Sequence, residues 1–405
     1  MKKIFIVIGT RPESIKMVPV IRALRLSSIF EVVICITGQH RELLDPMLKF
    51  FNIEPNIDLG VIKKDISLSD LSADIFRKIS VEINLVKPDL VLVQGDTTSA
   101  YVAAMASFYQ KVRVGHIEAG LRSYNSMSPW PEEMNRRLIT QLASFHFCPT
   151  ESARENLLKE GVSDLLIFVT GNTVVDSLLA TIDRLEKDHY LRKKCLRNIE
   201  KAGYKIFLDR GGVENCWVED YDSCASRSFV LITGHRRENF NNELDDICEA
   251  IRCLSLKFPF LDFVYPVHLN PLVQKKVRTV LSGISNIYLT DHLDYPSFIL
   301  LMKNCKFIMT DSGGVQEEAS CLKKFVLVLR NDTERLESVE AGVSQVIKGL
   351  RKGDIIEKVS DMIDHIDGLV FSGSYEEVFV NVGFLFGNGN SGRMISDRLE
   401  KLLDS

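Results

Sequence analysis

The sequence predicts an α/β protein built from two doubly wound parallel sheets, because short buried strands alternate with amphipathic helices along most of the chain. Continuous runs of β-branched and aromatic residues, such as residues 4–8, are typical of strands buried on both faces. The alternation starts at the beginning of the chain and starts again near Ser228. Two successive Rossmann-like halves are therefore expected, with a boundary near Gly171.

The elements of the first half follow one another regularly. After the strand at residues 4–8, Pro12 opens a helix, a position that suits proline. One face of this helix carries the apolar residues Ile15, Val18, Ile21 and Leu24. The pattern further predicts strands at residues 32–36, 90–93 and 112–117, and helices at residues 43–51 and 99–106.

The second half repeats this rhythm after one interruption. Its pattern predicts a helix at residues 244–257 and strands at residues 229–233, 263–267, 287–289, 307–310 and 326–329. Between Leu191 and Arg227 no helical or alternating period is clear, and this piece is interpreted as an inserted loop. We expect an N-terminal domain (1–170), a second domain (171–375) and a C-terminal helical segment (376–405) that crosses back to the first.

Composition excludes several classes of protein. The 405 residues include 50 Lys and Arg against 54 Asp and Glu, and no long basic block indicates a nucleic-acid surface. Apolar runs are strand-sized, too short for a membrane helix or a secretion signal. The nine cysteines form no CxxC pair, which argues against disulfides and zinc. We expect a soluble cytoplasmic protein without a metal.

Polar residues follow five of the predicted strands. In a doubly wound sheet, ligands bind beyond the carboxyl ends of the strands. One polar strand end is often only a turn or a helix cap, but five at one edge indicate a ligand site. These positions are residues 9–13 with Lys16, residues 95–99, His116 with residues 118–122, residues 234–239 and residues 311–314.

Residues 311–318 contain the sharpest local signal. Here small residues lead from a strand into a helix, so that backbone N–H groups and the helix dipole can bind a pyrophosphate. The alternative is an ordinary helix start capped by Ser312. Glu318 either accepts hydrogen bonds from ribose hydroxyls or is a solvated helix residue. Neither half contains GxGxxG, so no nicotinamide or flavin cofactor is expected.

Three acids in the first half are candidates for proton transfer. Asp96 and Glu118 lie at predicted strand ends, and Glu132 is expected in the loop region beyond. Alternatively, Glu132 and Glu133 form helix-surface ion pairs with the arginines four residues later. The cations available on this side are Arg11 and Lys16. Three histidines near strand ends are each expected to be structural: His40, His116 and His268.

These motifs together resemble the non-hydrolysing UDP-N-acetylglucosamine 2-epimerases. The matching segments occur in the order found in that family: GTRPE (9–13), GQHR (38–41), QGDTTS (94–99), HIEAGLR (116–122), PEEMNR (131–136), TGHRREN (233–239), VHLNP (267–271), TDSGGVQEE (310–318), TER (333–335) and EAG (340–342). The resemblance implies a GT-B fold, in which two Rossmann-like domains face across a cleft, and a homodimer without a cofactor.

The resemblance also implies site residues and an activity. Asp96, Glu118 and Glu132 match the acids assigned to catalysis, and His235 matches a histidine expected near the pyrophosphate. The positions that match UDP-sugar ligands are Arg11, Lys16, Arg136, Phe298, Ser312, Gly313, Gly314, Glu318 and Arg335. The implied reaction epimerises C2 of UDP-N-acetylglucosamine to give UDP-N-acetylmannosamine. UDP is eliminated and added back, and the product supplies bacterial surface polysaccharide synthesis.

The resemblance also suggests a second, activating UDP-N-acetylglucosamine site. The positions that match it are Gln39, His40 and His268. Glu42 and Asp65 place carboxylates there, and repulsion of about 1 kcal/mol for each close like-charged pair predicts weak activation. The alternative is that residues 39–40 only cap the following helix.

The sequence departs from the family pattern in three places: the length of residues 191–227, Phe384-Leu385-Phe386 before the last helix, and His292. Four other functions remain open. They are a GT-B glycosyltransferase, a hydrolysing 2-epimerase, an epimerase of a modified UDP-sugar of the diacetamido-uronate type, and an inactive UDP-sugar sensor.

Overall fold

The chain divides into two compact units. The computed structural model describes residues 1–38, 41–61, 67–204, 227–234, 242–268, 270–380, 382 and 384–404. Unit 1 comprises Met1–Ser177 and Phe386–Ser405, and unit 2 comprises Leu178–Leu385. The first boundary falls inside the helix Thr173–Lys187, shortly after the position predicted from sequence.

Unit 1 contains a seven-stranded parallel sheet. Its strands are β1 (Lys2–Ile8), β2 (Phe30–Ile36), β3 (Ile57–Asp58), β4 (Leu90–Gln94), β5 (Arg113–Ile117), β6 (Phe145–Cys148) and β7 (Ile167–Val169). Their spatial order is β3-β2-β1-β4-β5-β6-β7. The order reverses between β1 and β4, and at such a switch point the loops that follow the two strands separate and leave room for a ligand.

The described helices of unit 1 are α1 (Arg11–Leu26), α2 (Arg41–Phe51), α3 (Leu68–Val86), α4 (Thr98–Tyr109), α5 (Glu132–Leu142), α6 (Glu151–Lys159), the first part of α7 (Thr173–Lys187) and the last helix, α16 (Ser391–Leu403). The last helix packs closely on α1. A Cβ atom on Gly392 would lie 2.6 Å from the carbonyl carbon of Pro19, so glycine is required for this approach. The C-terminus is thereby fixed against the helix that follows the first strand.

Unit 2 contains a six-stranded parallel sheet. Its strands are β8 (Phe229–Thr233), β9 (Asp262–Pro266), β10 (Ile287–Thr290), β11 (Phe307–Thr310), β12 (Val326–Val328) and β13 (Ser344–Val346), in the order β10-β9-β8-β11-β12-β13. Its helices are the rest of α7, α8 (His189–Lys201), α9 (Asn242–Lys257), α10 (Pro271–Leu281), α11 (Tyr295–Asn304), α12 (Gly313–Cys321), α13 (Leu336–Glu340), α14 (Lys352–Ser372) and α15 (Tyr375–Val380). The two sheets therefore share one topology.

The predicted fold class is confirmed: both units are doubly wound parallel α/β sheets of the GT-B-like class. The loop interpretation of residues 191–227 is wrong over its first part, because α8 continues to Lys201 with Leu191, Cys195 and Ile199 buried on one face. Residues 205–226 lie outside the described part of the chain. Within that part, no helix is both long and apolar enough to cross a bilayer.

Candidate active site

The turns that follow β4 and β5 lie side by side at the carboxyl edge of the unit 1 sheet. The Gly95 N–H donates to the carbonyl of Ile117 at 2.9 Å, so that Asp96 and Glu118 follow two linked strand ends. The Nε2–H of His116 donates to the Gly95 carbonyl at 2.7 Å. Burial lowers the pKa of His116 to about 3, which keeps its ring neutral. His116 thus has the structural role that the sequence predicts.

Glu118 is held in an uncommon backbone conformation. Its φ is 65°, in the left-handed region that non-glycine residues seldom adopt. Its Oε2 accepts hydrogen bonds from Lys16 Nζ and from Gln94 Nε2, both at 2.5 Å. The Lys16 and Glu118 side chains are only 8% and 7% exposed, so this ion pair is well shielded from water. A rigid, partly buried carboxylate is thus presented at the end of β5.

Asp96 is held by residues of α5. Arg136 donates through Nε and Nη2 to Asp96 Oδ2 at 2.9 and 2.5 Å, and Asn135 Nδ2 donates to the Asp96 carbonyl at 2.8 Å. Arg136 Nη1 also lies 3.4 Å from the fully buried Glu133. The helix-surface interpretation is therefore wrong for Glu133 and Arg136. The loop placement of Glu132 is also wrong, because this half-buried residue is the first of α5.

The turn between β1 and α1 brings a third set of charged residues to this edge. Arg11 is the half-buried first residue of α1, and Lys16 lies farther along the same helix. Glu13 lies between them and is 1% exposed. The sequence shows Glu13 and Gln94 only as members of motifs, since neither burial nor pairing with distant strands can be seen in a one-dimensional pattern.

In unit 2 the start of α12 follows β11. Ser312 occupies the N-cap position, but its side chain makes no capping hydrogen bond in the described structure. Its own N–H donates to Thr310 Oγ1 at 3.0 Å. The ordinary interpretation, in which the Ser312 side chain caps this helix, is therefore wrong. The first turn starts with two glycines, which suits close approach by an anion.

Arg335 lies against this first turn. Its guanidinium bonds to Glu317 at 2.9 Å and to Glu334 at 2.5 Å, and its side chain is 6% exposed. A Cβ atom on Gly313 would lie 2.7 Å from Arg335 Cζ, so glycine leaves the space that the guanidinium fills. The structure thus brings the predicted residues Gly313 and Arg335 together, with two carboxylates that the sequence analysis did not single out.

Glu318 is also held by a specific contact. It is 5% exposed, which rules out the alternative of a solvated helix residue. Its Oε1 accepts a hydrogen bond from the buried Tyr295 hydroxyl at 2.6 Å. Tyr295 begins α11, the helix that also carries the half-buried Phe298. Two predicted ligand residues therefore lie on elements joined by one buried hydrogen bond.

For several other predicted residues the described structure shows no place in these two sites. His235, Gln39, His40 and Asp65 lie outside the described residues, and Glu42 lies in α2. His268 is described, and its Nδ1 accepts the Asn270 N–H at 3.2 Å. Asn270 in turn caps α10. A local role at a helix start accounts for this geometry, and the second UDP-sugar site stays a prediction.

Fold and site together define an α/β enzyme of the GT-B-like class, with carboxylates paired to cations at the sheet edge of unit 1 and a glycine-led helix start in unit 2. A family model described as UDP-N-acetylglucosamine 2-epimerase matches residues 22–400. The chain belongs to the UDP-N-acetylglucosamine 2-epimerase family.

Relatives and solved structures agree with this assignment. A UDP-N-acetylglucosamine 2-epimerase of Campylobacter jejuni is 46% identical over 90% of this chain and 91% of its own length. The crystal structure of the Neisseria meningitidis enzyme bound to UDP-GlcNAc is 39% identical, covers 100% of both chains and has a TM-score of 0.86. That of the Methanocaldococcus jannaschii enzyme with UDP-GlcNAc and UDP covers 98% of this chain and 99% of its own, at 31% identity and a TM-score of 0.81.

Proposed function

We propose that this chain interconverts UDP-N-acetylglucosamine and UDP-N-acetylmannosamine by moving the proton at C2. The observation that carries the proposal is the presence of two carboxylates at adjacent strand ends, each paired with a cation: Glu118 with Lys16 and Asp96 with Arg136. Acid–base catalysis at two faces of a sugar ring needs more than one positioned carboxyl group, and this edge provides them. The family assignment supports the same substrate.

Unit 2 supplies the groups that bind UDP in this proposal. The N–H groups at the start of α12 bind the pyrophosphate, and Gly313 and Gly314 allow close approach. Arg335 places a cation at the same helix start. Glu318 accepts hydrogen bonds from the ribose, oriented by Tyr295, and Phe298 contacts the uracil side. His235 is assigned to the pyrophosphate by family resemblance.

The reaction needs elimination, because the C2 proton has no neighbouring carbonyl to acidify it. A carboxylate takes this proton while the C1–O bond breaks, and UDP leaves with the bonding electrons. A C1–C2 double bond remains, giving a 2-acetamidoglucal. UDP then adds back to C1 as a second carboxyl group returns a proton to C2 from the opposite face. The first carboxyl group then releases its proton to solvent and the second takes one up, so that atoms and charge balance and the site is restored.

The cations at this edge have a defined role in that cycle. Negative charge develops on the pyrophosphate as the C1–O bond breaks, and preorganised cations and N–H donors stabilise such charge. Arg11 and Lys16 supply cations from α1, and α12 supplies N–H groups. Asp96, Glu118 and Glu132 are the acids proposed to carry the proton.

The proposal is tested by incubating the protein with UDP-N-acetylglucosamine in D2O and following the products by NMR. We expect both epimers to gain deuterium at C2, because the carboxyl group that delivers the new proton has exchanged that proton with solvent. If every product molecule retains the original C2 hydrogen, an exchangeable carboxyl group is not the base and the mechanism is wrong.

The same assay, repeated with an added acceptor and with a diacetamido-uronate UDP-sugar, separates the alternatives that are enzymes. Free N-acetylmannosamine as the main product would indicate a hydrolysing 2-epimerase, and transfer of the sugar only to an added acceptor would indicate a glycosyltransferase. Turnover of a diacetamido-uronate substrate alone would identify the modified-sugar epimerase. The proposed homodimer is tested separately by light scattering of the purified protein.

A further inference from the structure

Glu13 is a buried carboxyl group that no step of the proposed reaction uses. It lies on the first turn of α1, and its Oε2 accepts the Gly9 N–H at 3.2 Å. Its Oε1 accepts a hydrogen bond from Thr97 Oγ1 at 2.9 Å. The N–H and hydroxyl of Thr10 also bond to this carboxyl group. One side chain therefore joins the turn after β1 to the turn after β4.

The geometry of Thr97 fixes the direction of this link. Its Oγ1 accepts the Ala100 N–H at 3.0 Å as the N-cap of α4. The hydroxyl proton is therefore the one donated to Glu13. Thr97 follows Asp96 directly in the chain. Holding Thr97 thus holds the backbone from which the Asp96 side chain projects.

The other end of the link also borders the candidate site. Gly9 is followed by Thr10 and Arg11, so the Gly9 contact fixes the start of the turn that carries this cation. The two turns touch closely: a Cβ atom on Gly9 would lie 2.4 Å from Ser99 Oγ. Small changes in the Glu13 contacts are therefore expected to move both turns.

The surroundings of Glu13 suit a carboxylate. Every contact named above is a donor, and an ionised carboxyl group can only accept. Charged side chains close to Glu13 in the first turns of α1 are Arg11 and Lys16, and those at the neighbouring strand ends are Asp96 and Glu118, which pairs with Lys16. Burial raises the pKa of Glu13 to about 7, against the hydrogen bonds, which lower it. Protonation would leave a hydroxyl among groups that need acceptors.

We propose that Glu13 is a positioning residue for the epimerase reaction, whose carboxylate holds the Asp96 turn and the Arg11 turn in the geometry that proton transfer requires. The inference rests on the proposed function. Glu13 contacts neither reacting atom in this account and acts through Asp96 and Arg11. Its loss should therefore lower kcat more than it raises KM, because misplaced acid–base groups weaken the transition state rather than ground-state binding.

The test uses Glu13→Gln, which keeps the shape but replaces one acceptor with an amide donor. We expect kcat for C2 exchange to fall about 10- to 100-fold, the scale of small displacements of catalytic groups, with KM within about threefold. Wild-type kcat should fall as the pH drops through about 7. The variant should lack this limb. A wild-type kcat and pH profile in Glu13→Gln would overturn the inference.

A second pair of variants covers the case in which Glu13→Gln does not fold. Thr97→Ser keeps the donated hydroxyl and should retain kcat, whereas Thr97→Val lacks it and should reproduce the Glu13→Gln loss. Equal kcat in this pair would contradict the role of the link. The control is Asp262→Asn, which changes a buried carboxyl group in unit 2 and should leave kcat unchanged.

Failure of the proposed function gives a different result. If the wild-type protein shows no C2 exchange at all, the epimerase assignment and the positioning role both fail. If the wild-type protein exchanges the C2 proton and the variants have the same kcat as the wild type, only the positioning role is wrong.

Discussion

The carboxyl edges of the two sheets have the same strand order around the switch point but present different chemical groups. In both units the strand order reverses between the first strand and the fourth, and polar turns follow there. In unit 1 those turns present carboxylates held by cations, such as Glu118 by Lys16. In unit 2 they present backbone N–H groups beside Arg335. In the proposed function, the shared strand order sets where the ligand binds, and the side chains assign proton transfer to the unit 1 edge and anion binding to the unit 2 edge.

The arginines at the two edges also differ in how exposed their carboxylate partners are. Arg136 in unit 1 bonds an aspartate that is 25% exposed on its side chain, so that the carboxyl group can still reach a ligand. Arg335 in unit 2 bonds two glutamates whose side chains are 1% and 2% exposed. Breaking a buried ion pair by removing one partner costs about 3–5 kcal/mol. The two carboxylates that bind Arg335 are therefore structural, whereas the Asp96 carboxylate bound by Arg136 stays partly accessible.

The largest expected effect comes from neutralising the acids of unit 1. Asp96→Asn and Glu118→Gln should each lower kcat about 10²- to 10⁴-fold, the scale for loss of a general acid or base. Single-turnover deuterium incorporation at C2 measures this. Glu160→Gln is the matched control, because Glu160 pairs with Arg122 away from the proposed proton path. A similar loss of kcat in the control would assign the effect to unit 1 stability.

A smaller effect, confined to unit 2, is expected from the paired glycines of α12. Gly313→Ala places a methyl group against the Arg335 guanidinium and should lower the free energy of unfolding by about 1–3 kcal/mol, as overpacking does. Gly314→Ala meets no described atom within 4 Å and, because alanine favours helices, should not destabilise. Urea unfolding without ligand measures both. Equal destabilisation would show that the Arg335 contact does not restrict residue 313.

UDP titration by calorimetry extends this pair of variants. Gly313→Ala should weaken UDP binding through displacement of Arg335, whereas a loss in Gly314→Ala would report direct crowding of the pyrophosphate. Unchanged affinity in both variants would exclude the start of α12 as the anion site, whatever their stability.

The smallest effect concerns the pH dependence of stability. The pKa of Glu13 is raised to about 7 in the folded state. Its contribution to the free energy of unfolding is therefore present below about pH 4.5 and is lost as the pH rises through 7. The pKa of His116 is lowered to about 3, so its contribution is present above about pH 6.5 and is lost as the pH falls. The two therefore oppose each other in the wild type between pH 5 and 6.5.

Glu13→Gln removes one side of this balance. The slope of unfolding free energy against pH should become more positive between pH 5 and 6.5, by at most about 1.4 kcal/mol per pH unit. In unit 2, burial raises the pKa of Asp262 to about 6, so Asp262→Asn should act with the same sign in a window about one pH unit lower. Urea unfolding at three pH values measures both slopes. An unchanged slope in Glu13→Gln would show that the pKa of this carboxyl group does not differ between the folded and unfolded states.

Long buried strands were predictable from sequence, whereas several of the short ones, unlike β12, were not. Residues 4–8 and 229–233 are continuous apolar runs and form β1 and β8. The strands β3 and β13 have two and three residues, too few to display a pattern. The missed helix α8 does show apolar residues four apart, Leu191, Cys195 and Ile199, so a signal was present there.

The sequence predicts the candidate site as a set of positions, whereas the contacts within it follow only from the fold. Motif order and resemblance identify Lys16, Glu118 and Arg335. The partners of these residues depend on the fold, because Lys16 and Glu118 are 102 positions apart and spacing cannot pair them. Spacing was also misleading for Glu133 and Arg136, which form a buried pair three residues apart rather than a surface pair. Tertiary packing determines such contacts, and the local sequence periodicity contains no information about that packing.

The left-handed backbone of Glu118 lowers stability at a position whose carboxylate the proposed reaction needs. A non-glycine residue in this region costs about 1–3 kcal/mol, and glycine would avoid that cost. Glycine at position 118 would remove the carboxylate that pairs with the shielded Lys16 ammonium. An apolar residue at position 16 would therefore have to accompany it. A library of this chain selected only for thermal tolerance should therefore accumulate that double replacement and lose turnover together with the left-handed residue at position 118.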